Sequence, residues 1–301
     1  MKNKIIVIGS SNTDMVMRVH DFPQPGETVI GLDFMQNQGG KGANQAVACA
    51  RLQGEVAFIA KVGKDALGGH AIKVLSEEHM DLTQMTQTEE QPTGTAFITV
   101  NDEGENSIIV NSGANACLSR TDIDAATPML AEAGYVLMQL ETPIETLTYA
   151  AQKAHQYGAM VILNPAPASP TPLPQELLQH IDLLIPNETE LRLLCGKRDD
   201  ALCSTEECMR QLQREGIREI VTTTGAKGAV ALIEGVMTAF PSRQVKAVDT
   251  TAAGDTFCGA LCVALSKGET MADAIRFACD AAAVTVSRPG AQQSIPYLEE
   301  V

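Results

Sequence analysis

Residues 4–11 read KIIVIGSS, a short apolar run that closes on small, turn-forming residues. Equivalent runs recur along the chain, with stretches of helical character around them. They are VAFIAKVG at 56–63, YVLMQLE at 135–141, MVILNPAP at 160–167, DLLIPNE at 182–188 and REIVTTTG at 218–225. Apolar strands that alternate with helices predict a three-layer α/β fold, in which helices cover both faces of a mainly parallel sheet. Ligands in such folds bind at the carboxyl ends of the strands.

Two segments fall outside this alternation. Residues 15–35 contain short extended runs and two prolines, and residues 94–111 have the pattern of a hairpin around the sequence DEGEN. Together they predict a small β-sheet that serves as a lid, a dimer surface or both. Neither a linker nor an internal repeat is evident, so we expect residues 1–301 to form a single domain with this lid inserted.

The composition restricts the class of protein. The 301 residues are 45% hydrophobic, which is ample for a large core, and carry a formal net charge of -15. That charge disfavours nucleic acid and anionic membranes as partners. The N-terminus resembles neither a signal peptide nor an anchor, and the eight cysteines show neither C-x-x-C nor zinc spacing. We therefore expect reduced thiols and a cytoplasmic location.

The stretch DTTAAGDTFCGAL at 249–261 has residues with very small side chains just before a predicted helix. The first amides of a helix are unpaired and lie at the positive end of its dipole, so they attract anions. Ala252, Ala253 and Gly254 would leave these amides bare, with the helix beginning at about Asp255. Asp255 would then stand beside a bound anion and accept a proton. The alternative is an ordinary capping aspartate after a glycine turn.

A second glycine-rich stretch, GGKGANQA at 39–46, opens a helix whose apolar face includes Ala43, Ala46 and Val47. It approaches a dinucleotide fingerprint, but Gln45 takes the place of the last glycine and no clear strand leads into it. Gly42 follows Lys41, so the stretch is not a Walker A loop either. These mismatches disfavour a dinucleotide-dependent oxidoreductase.

Several motifs together resemble the signatures of the PfkB, or ribokinase-like, family of sugar kinases. The early signature matches residues 39–44 and the late one matches residues 249–255. Between them lie an Asn-x-x-Glu motif at 187–190 and a Thr-x-Gly-x-x-Gly loop at 223–228. The motifs occur in order over essentially the whole chain. Within the family, segments such as GSSNTD and IPNETE are most similar to the members that phosphorylate ribose.

This resemblance implies transfer of a phosphoryl group from ATP to the 5-hydroxyl of D-ribose, with Mg2+ required and K+ activating. Asp255 would be the catalytic base. The stretch Ala252, Ala253 and Gly254, with the amide of Asp255, would form the anion hole that accepts charge on the transferred group.

The resemblance also implies a sugar site. Its residues would be Asn12, Asp14, Gly40, Lys41, Asn44, Glu141 and Asp255. Taken singly, these residues have simpler interpretations. Asn12 and Asp14 suit a turn, Lys41 suits a solvated loop and Glu141 suits an exposed strand end. Thr13 stands where ribose-phosphorylating relatives commonly have alanine, which would either tighten the pocket or only alter a turn.

For the nucleotide, the resemblance implies a loop, a helix start and one helix position. The residues are Thr223, Thr224, Gly225, Ala226, Lys227, Gly228, Gly254 and Cys279, with Asn187. Asn187 and Glu190 would organise magnesium near the phosphates. Their i, i+3 spacing equally fits an N-cap and its capping box, and both roles are compatible.

A monovalent-cation site is implied beside the anion hole. Asp249 would contribute its side chain and Thr251 its carbonyl, with a facing loop supplying mostly backbone oxygens. The facing residues are Thr285, Arg288, Gly290 and Ser294. Asp249 alone would also suit a simple turn.

Other substrates of the same chemistry stay open: 2-deoxyribose, fructose, a keto-deoxy sugar acid or a nucleoside. The chain has no tryptophan and few aromatic residues, which favours a small polyol over a nucleoside. A sensor that binds sugar or nucleotide without turnover is the alternative from another class. Apolar residues such as Val29, Ile30, Phe97 and Ile109 in the lid segments predict a homodimer through the lids.

Overall fold

The computed structural model describes residues 2–168, 171–197 and 203–301, and within them the chain forms two sheets. The strands are β1 (Lys4–Ile8), β2 (Asn12–Arg18), β3 (Asp33–Gly39), β4 (Val56–Gly63), β5 (Met85–Thr88), β6 (Gly94–Val100), β7 (Asn106–Asn111), β8 (Ala133–Met138), β9 (Met160–Leu163), β10 (Leu183–Leu184), β11 (Glu219–Thr223), β12 (Ala229–Ile233) and β13 (Val236–Phe240). The helices are α1 (Lys41–Arg51), α2 (Ala66–Ser76), α3 (Arg120–Ala125), α4 (Thr127–Glu132), α5 (Ile144–Gln156), α6 (Gln175–Leu178), α7 (Glu188–Leu194), α8 (Thr205–Arg214), α9 (Ala253–Ser266) and α10 (Met271–Val286).

The larger sheet has the strand order β13-β12-β11-β10-β9-β8-β1-β4-β5. Its strands are parallel from β5 to β11, whereas β12 and β13 are antiparallel additions at one edge. The predicted α/β fold is confirmed. The chain first builds outward from β1 to β4 and later returns to β8 on the other side of β1. This reversal opens a crevice at the carboxyl ends of β1 and β8, where ligands bind in such sheets.

The core lies in two layers because side chains alternate along each strand. In β1, Ile5 and Val7 face the layer of α1, α9 and α10, while Ile6 and Ile8 face the layer that contains α5. Helices α1 and α9 approach closely at Gly259, where an added Cβ would lie 2.6 Å from the Cβ of Ala48. This close packing fixes the start of α9 relative to the start of α1.

The smaller sheet has the order β3-β2-β6-β7 and is the predicted small β-sheet, which we call the lid. The DEGEN hairpin is confirmed as β6 and β7. The other lid segment differs in its bounds from the predicted 15–35, because its strands cover 12–18 and 33–39 and leave most of 19–32 as a connection. Strand β2 also pairs in parallel with β6. Only Gly9–Ser11 separate β1 from β2, so the chain passes directly from the large sheet into the lid.

Strand β3 runs directly into α1, so the expectation that no strand leads into the glycine-rich stretch is wrong. Polar and largely exposed residues in DFMQNQG concealed it, because this strand belongs to the solvated lid rather than to the buried sheet. Gly40 joins the two elements with φ 89, and an added Cβ would lie 2.8 Å from the amide nitrogen of Asn12. Glycine is therefore required there. None of the helices in the described ranges is long and apolar enough to cross a membrane.

Candidate active site

Helix α9 begins at Ala253, two residues earlier than predicted, with Ala252 as its N-cap residue in a left-handed conformation (φ 60). The amide of Ala253 donates to the carbonyl of Thr250 at 3.3 Å. Among the described residues, the amides of Gly254 and Asp255 have no hydrogen-bond partner. The small side chains leave these amides accessible, since apart from its chain neighbours and the nearby backbone of α9 nothing lies within 4 Å of an added Cβ at Gly254. The start of this 14-residue helix therefore has the form of an anion site.

Asp255 is the third residue of α9 and is only 6% exposed. Its carboxylate makes no capping bond, so the capping alternative is wrong. Instead, Oδ2 accepts a hydrogen bond from Nδ2 of Asn44 at 2.9 Å, and Oδ1 accepts one from Nε2 of Gln45 at 3.0 Å. A buried carboxylate is thus held between α9 and α1, next to the two unpaired amides.

A cleft of about 650 Å³ lies over the carboxyl ends of β1 and β8 and is partly walled by the lid. We call it the large cleft. All the residues predicted for the sugar line it, from the lid strand β2, the junction of β3 with α1, the segment after β8 and the start of α9. They are Asn12, Asp14, Gly40, Lys41, Asn44, Glu141 and Asp255. The resemblance therefore selected residues that the fold brings together from four separate parts of the chain.

Glu141 connects the segment after β8 with the turn after β1, at the point where the strand order of the sheet reverses. Its Oε2 accepts hydrogen bonds from the hydroxyl of Ser10 at 2.5 Å and from the amide of Lys41 at 3.0 Å. It lies three residues beyond the end of β8 and is half-buried, so the simple interpretation as an exposed strand-end acid is wrong. The carboxylate fixes the start of α1 against the turn after β1.

Asn12 and Asp14 are strand residues in β2, so the turn interpretation is wrong for both. Asn115, which the sequence analysis missed, is buried beneath them. Its Nδ2 donates to Oδ1 of Asn12 at 2.7 Å, and its Oδ1 accepts from the amide of Ser11 at 2.9 Å. With its oxygen engaged, Asn12 presents its NH2 group as a donor to the cleft. Thr13 is fully buried and does not line the cleft, so it shapes the strand rather than the pocket.

The charges of the large cleft interact strongly. Burial, followed by Glu141 and Asp255, raises the pKa of Asp14 to about 6. Asp255, followed by Glu141 and Glu190 and against the effect of burial, raises the pKa of Lys41. Lys41 is therefore a partly buried cation among acids rather than a solvated loop charge. The cleft combines hydrogen-bond acceptors with charged donors such as Lys41, as polyol and phosphate ligands require.

A second cavity of about 250 Å³, which we call the small cavity, adjoins the large cleft. Residues predicted for the nucleotide line it, and it has apolar walls that include Phe257, Ala283 and Val286, which the sequence analysis did not single out. The predicted residues on its wall are Thr223, Gly225, Ala226, Gly228, Gly254 and Cys279. Thr224 and Lys227 belong to the same loop but line neither cavity. The two cavities share Thr223, Gly225, Thr250 and Gly254, so they meet at the start of α9.

Asn187 and Glu190 form the capping box of α7, in agreement with the simpler of their two interpretations. The side chain of Asn187 accepts from the amide of Glu190, and Oε2 of Glu190 accepts from the amide of Asn187, each at 2.8 Å. Both residues also line the large cleft, and burial raises the pKa of Glu190. Among the described residues, no group of three or more His, Cys, Asp or Glu side chains is placed to hold a metal ion.

The two loops predicted for the monovalent cation lie side by side. Asp249 accepts from the amide and hydroxyl of Thr251 at 2.9 and 2.7 Å and from the amide of Gly290 at 3.0 Å. Burial opposes ionisation of Asp249, but these hydrogen bonds outweigh it and lower the pKa of its carboxyl. The side chain of Arg288 pairs with Glu300 at 2.7 Å, which leaves only its backbone for the loop. Thr285 and Ser294 are fully buried.

Comparison with known proteins agrees with this geometry. Residues 2–298 match the pfkB family of carbohydrate kinases. A ribokinase from Staphylococcus aureus is 40% identical, over 100% of this chain and 99% of that protein. The crystal structure of a ribokinase from Thermotoga maritima superposes with a TM-score of 0.90 at 37% identity, covering 98% of this chain and 97% of the other. The structure of Arabidopsis thaliana ribokinase in complex with ribose and ATP gives a TM-score of 0.90 at 32% identity, covering 99% and 97%. The chain therefore belongs to the pfkB family of carbohydrate kinases.

Proposed function

We propose that this protein transfers the γ-phosphoryl group of ATP to the 5-hydroxyl of D-ribose. One observation carries the proposal: the unpaired amides of Gly254 and Asp255 and the carboxylate of Asp255 lie where the two cavities meet. An acceptor alcohol in the large cleft and a nucleotide in the small cavity would therefore face each other across the start of α9. Named ribokinases at about 40% identity over the full length support the same substrates.

In this mechanism Asp255 is the catalytic base. It takes the proton of the sugar hydroxyl, whose oxygen forms a bond to the γ-phosphorus while the bond to the bridging oxygen of ADP breaks. The unpaired amides of Gly254 and Asp255 donate hydrogen bonds to the phosphoryl oxygens and stabilise their negative charge, aided by the dipole of α9. The amide of Ala253, which the sequence also predicted for the anion hole, is bonded to the carbonyl of Thr250 instead. Asp255 is largely buried, so only a small part of the base faces the cleft.

The large cleft would recognise the remaining sugar hydroxyls. Asp14 and Glu141 are acceptors, whereas Asn12 and Lys41 are donors. Gly40 and Asn44 complete the wall next to the base. Such alternation of acceptors and donors suits a polyol, because each sugar hydroxyl both donates and accepts.

The small cavity would hold the nucleotide. The loop from Thr223 to Gly228 and the helix position of Cys279 form its wall, and its apolar side suits a purine ring. Asn187 faces the phosphates from the large cleft. Thr224 and Lys227 would contribute from the loop only through its backbone or at the rim.

Glu190 and Asn187 would hold Mg2+ together with water and the phosphates of ATP. One carboxylate with one amide fits this ion, since Mg2+ keeps several waters and is commonly bound through one or two carboxylates plus substrate phosphates. The burial of Glu190 beside the cleft fits the same role. The ion supplies charge neutralisation at the phosphates.

The loops at 249–251 and 285–294 would hold K+ behind the anion hole. The side chain of Asp249 and the carbonyl of Thr251 are the proposed ligands on one side, and oxygens of the facing loop complete the set. The facing residues are Thr285, Arg288, Gly290 and Ser294. The hydrogen bond from Gly290 to Asp249 already brings the two loops together, and hard oxygen ligands suit such a cation.

We also propose that the chain acts as a single catalytic domain whose lid closes over the sugar and pairs with the lid of a second copy. Exclusion of water by the lid would limit hydrolysis of ATP. Phe97 and Ile109 pair across β6 and β7 on the face opposite the cleft and are mostly exposed. Ile30 is more exposed still, at 83%. A lid-to-lid dimer would cover such an apolar surface.

The experiment is ATP consumption by the purified protein with Mg2+ and K+, against ribose, 2-deoxyribose, fructose, glucose, 2-keto-3-deoxygluconate, adenosine and a control without sugar. We expect the highest kcat/KM with ribose and a lower rate without K+. A different preferred sugar would retain the mechanism and overturn the substrate. Absence of turnover with every sugar, while ATP still binds, would overturn the kinase assignment in favour of a sensor.

A further inference from the structure

We infer that Gln45 is a positioning residue that holds the catalytic carboxylate of Asp255 through a buried chain of side-chain amides. The chain consists of Gln139, Gln45 and Asn164, none of which the sequence analysis assigned to the site. All three are buried, Gln45 and Gln139 completely. The inference rests on the proposed phosphoryl transfer, because it gives the amide chain its purpose.

The hydrogen bonds run in one continuous path. Nε2 of Gln139 donates to Oε1 of Gln45 at 2.6 Å. Nε2 of Gln45 donates to Oδ1 of Asn164 at 3.1 Å and to Oδ1 of Asp255 at 3.0 Å. Nδ2 of Asn164 donates to the backbone carbonyl of Ile185 at 2.8 Å. The path thus connects the segments after β8, β9 and β10 with α1 and ends on the proposed base.

The backbone fixes the direction of every amide in this path. The carbonyl of Ile185 can only accept, so Asn164 must turn its NH2 group toward it and its oxygen toward Gln45. Gln45 must then present its NH2 group to Asn164, and the same group supplies the second hydrogen to Asp255. The reversed orientation of Gln45 would place its oxygen against Oδ1 of Asn164 and Oδ1 of Asp255, both of which are acceptors. Gln45 is therefore a fixed donor to the carboxylate.

A fixed donor on each oxygen determines the orientation of Asp255. Gln45 holds Oδ1 and Asn44 holds Oδ2, so the carboxylate plane cannot rotate about its Cβ–Cγ bond without breaking one of these bonds. Each oxygen can accept a further hydrogen bond, and Asp255 lines the large cleft where the sugar hydroxyl would bind. Orientation of a reacting group contributes to the rate rather than to ground-state binding.

The amide path is not explained by stability alone. Oε1 of Gln139 is buried without a hydrogen-bond partner among the described residues, and it lies 2.1 Å from the position of an added Cβ at Gly9. A buried unpaired amide oxygen is costly, but an apolar side chain at position 139 would move that cost to Oε1 of Gln45, which accepts its hydrogen bond from Gln139. The unpaired oxygen of Gln139 therefore accompanies the orientation in which Gln45 donates to Asp255.

The test is the Gln45→Met variant, which retains length and removes the hydrogen bonds. Steady-state kinetics with ribose and ATP should show kcat lowered roughly 10- to 100-fold, the effect of one lost hydrogen bond to a charged group. KM for each substrate should stay within about threefold, as expected for an interaction that acts in the transition state. Thr146→Val is the control: it removes a buried hydrogen bond to Leu118 in the opposite helix layer and should leave kcat unchanged.

If Gln45→Met does not fold, Gln45→Glu replaces it. That variant keeps the shape of the side chain but sets a second carboxylate beside Asp255, so its loss of kcat should be at least as large. A folded Gln45 variant with kcat within twofold of wild type overturns the inference, as does a loss confined to KM for the sugar. A wild-type protein without turnover of any sugar would instead overturn the proposed function and the inference with it.

Discussion

The backbone amide of Gly290 donates to Oδ2 of Asp249 across 3.0 Å and so joins two loops that are 41 residues apart in the chain. The same carboxylate accepts hydrogen bonds from the amide and the hydroxyl of Thr251, in the segment that leads into α9. Any change at Asp249 therefore reaches the proposed cation loop and the proposed anion hole together.

Asp249→Ala should weaken activation by K+. Loss of a proposed ligand and of three hydrogen bonds should raise the KCl concentration for half-maximal activation by at least about tenfold, the effect of one charged interaction. The measurement is the initial rate against KCl at ionic strength held constant with tetramethylammonium chloride. Glu269→Ala, at an exposed acid between α9 and α10, is the control. An unchanged KCl dependence would place the cation elsewhere.

Asp255→Asn should remove most turnover while ATP binding survives. Asparagine keeps the shape of the side chain but cannot accept the proton, which should lower kcat roughly 100- to 10,000-fold. Steady-state rates and calorimetric titration with an ATP analogue measure the two effects. Asp124→Asn, at an exposed acid that pairs with Lys153, is the matched control. Near wild-type turnover would discard the assignment of the base.

Asn115→Asp should weaken sugar binding selectively. An aspartate carboxylate cannot donate to Oδ1 of Asn12, so the amide of Asn12 loses its fixed orientation toward the cleft. We expect KM for ribose to rise about tenfold, equivalent to one hydrogen bond, with little change in KM for ATP. Asn106→Asp, at an exposed position of the lid strand β7, should change neither KM for ribose nor KM for ATP. A parallel rise in both KM values would indicate general damage instead.

Asp14 should make sugar affinity and stability change in opposite directions with pH. Its folded-state pKa of about 6 exceeds the ordinary value of 3.8, so the folded protein binds a proton here that the unfolded chain has released. The ionised carboxylate therefore costs stability above pH 6, and this cost disappears as the pH falls toward 4. Sugar binding through the carboxylate should weaken over the same interval.

Asp14→Asn tests the effect of this carboxylate on both stability and sugar affinity. At pH 7 the variant should unfold at a higher temperature than wild type, with a gain in stability of at most about 3 kcal/mol. Its KM for ribose should be higher and should no longer rise below pH 6. Thermal unfolding and KM at pH 5.5, 6.5 and 7.5 are the measurements. A variant less stable than wild type at pH 7 would contradict the buried, raised carboxyl.

Ile109→Asp should convert the proposed dimer to a monomer. Ile109 is 71% exposed on the lid, so a charge there costs an isolated subunit little but is costly within an apolar interface. Sedimentation velocity at micromolar concentration distinguishes the two states. Val236→Asp is the matched control, because Val236 is 63% exposed on β13, an edge strand of the large sheet outside the lid. A wild-type protein that sediments as a monomer would refute the dimer itself.

The centre of the large sheet was predictable because its strands are buried on both faces. KIIVI and VAFIAKV are continuous apolar runs whose pattern depends on burial alone. Strand β3 was not predictable in this way, since its residues are mostly exposed and their pairing with β2 depends on the rest of the lid. Strand β10 was predicted from the run at 182–188, but its length of only two residues was not, because it depends on pairing with β9 and β11.

The candidate site was predictable where motifs are local and was missed where partners are distant. Asp255 and its small neighbours are contiguous, so their chemistry could be recognised from the sequence. Gln45 lies 210 residues from Asp255, and Asn115 lies 103 residues from Asn12, so no periodicity links them. One signal was available: Gln45 is a polar residue inside the small, apolar run of GANQAVACA, where only a buried hydrogen-bond partner would stabilise it.

The lid is attached to the rest of the molecule by very short joints. Three residues, Gly9–Ser11, lead into it from β1, and Gly40 alone leads out of it into α1. Asn12 and Lys41 lie immediately beyond these joints and line the large cleft. If the proposed closure bends the chain at these two joints, the pivot lies beside the proposed sugar site, so that opening would separate the sugar contacts and closure would assemble them. Opening of the lid and loss of the contacts to the product would then be one motion. Replacement of the lid by that of another protein would also change which sugar is preferred.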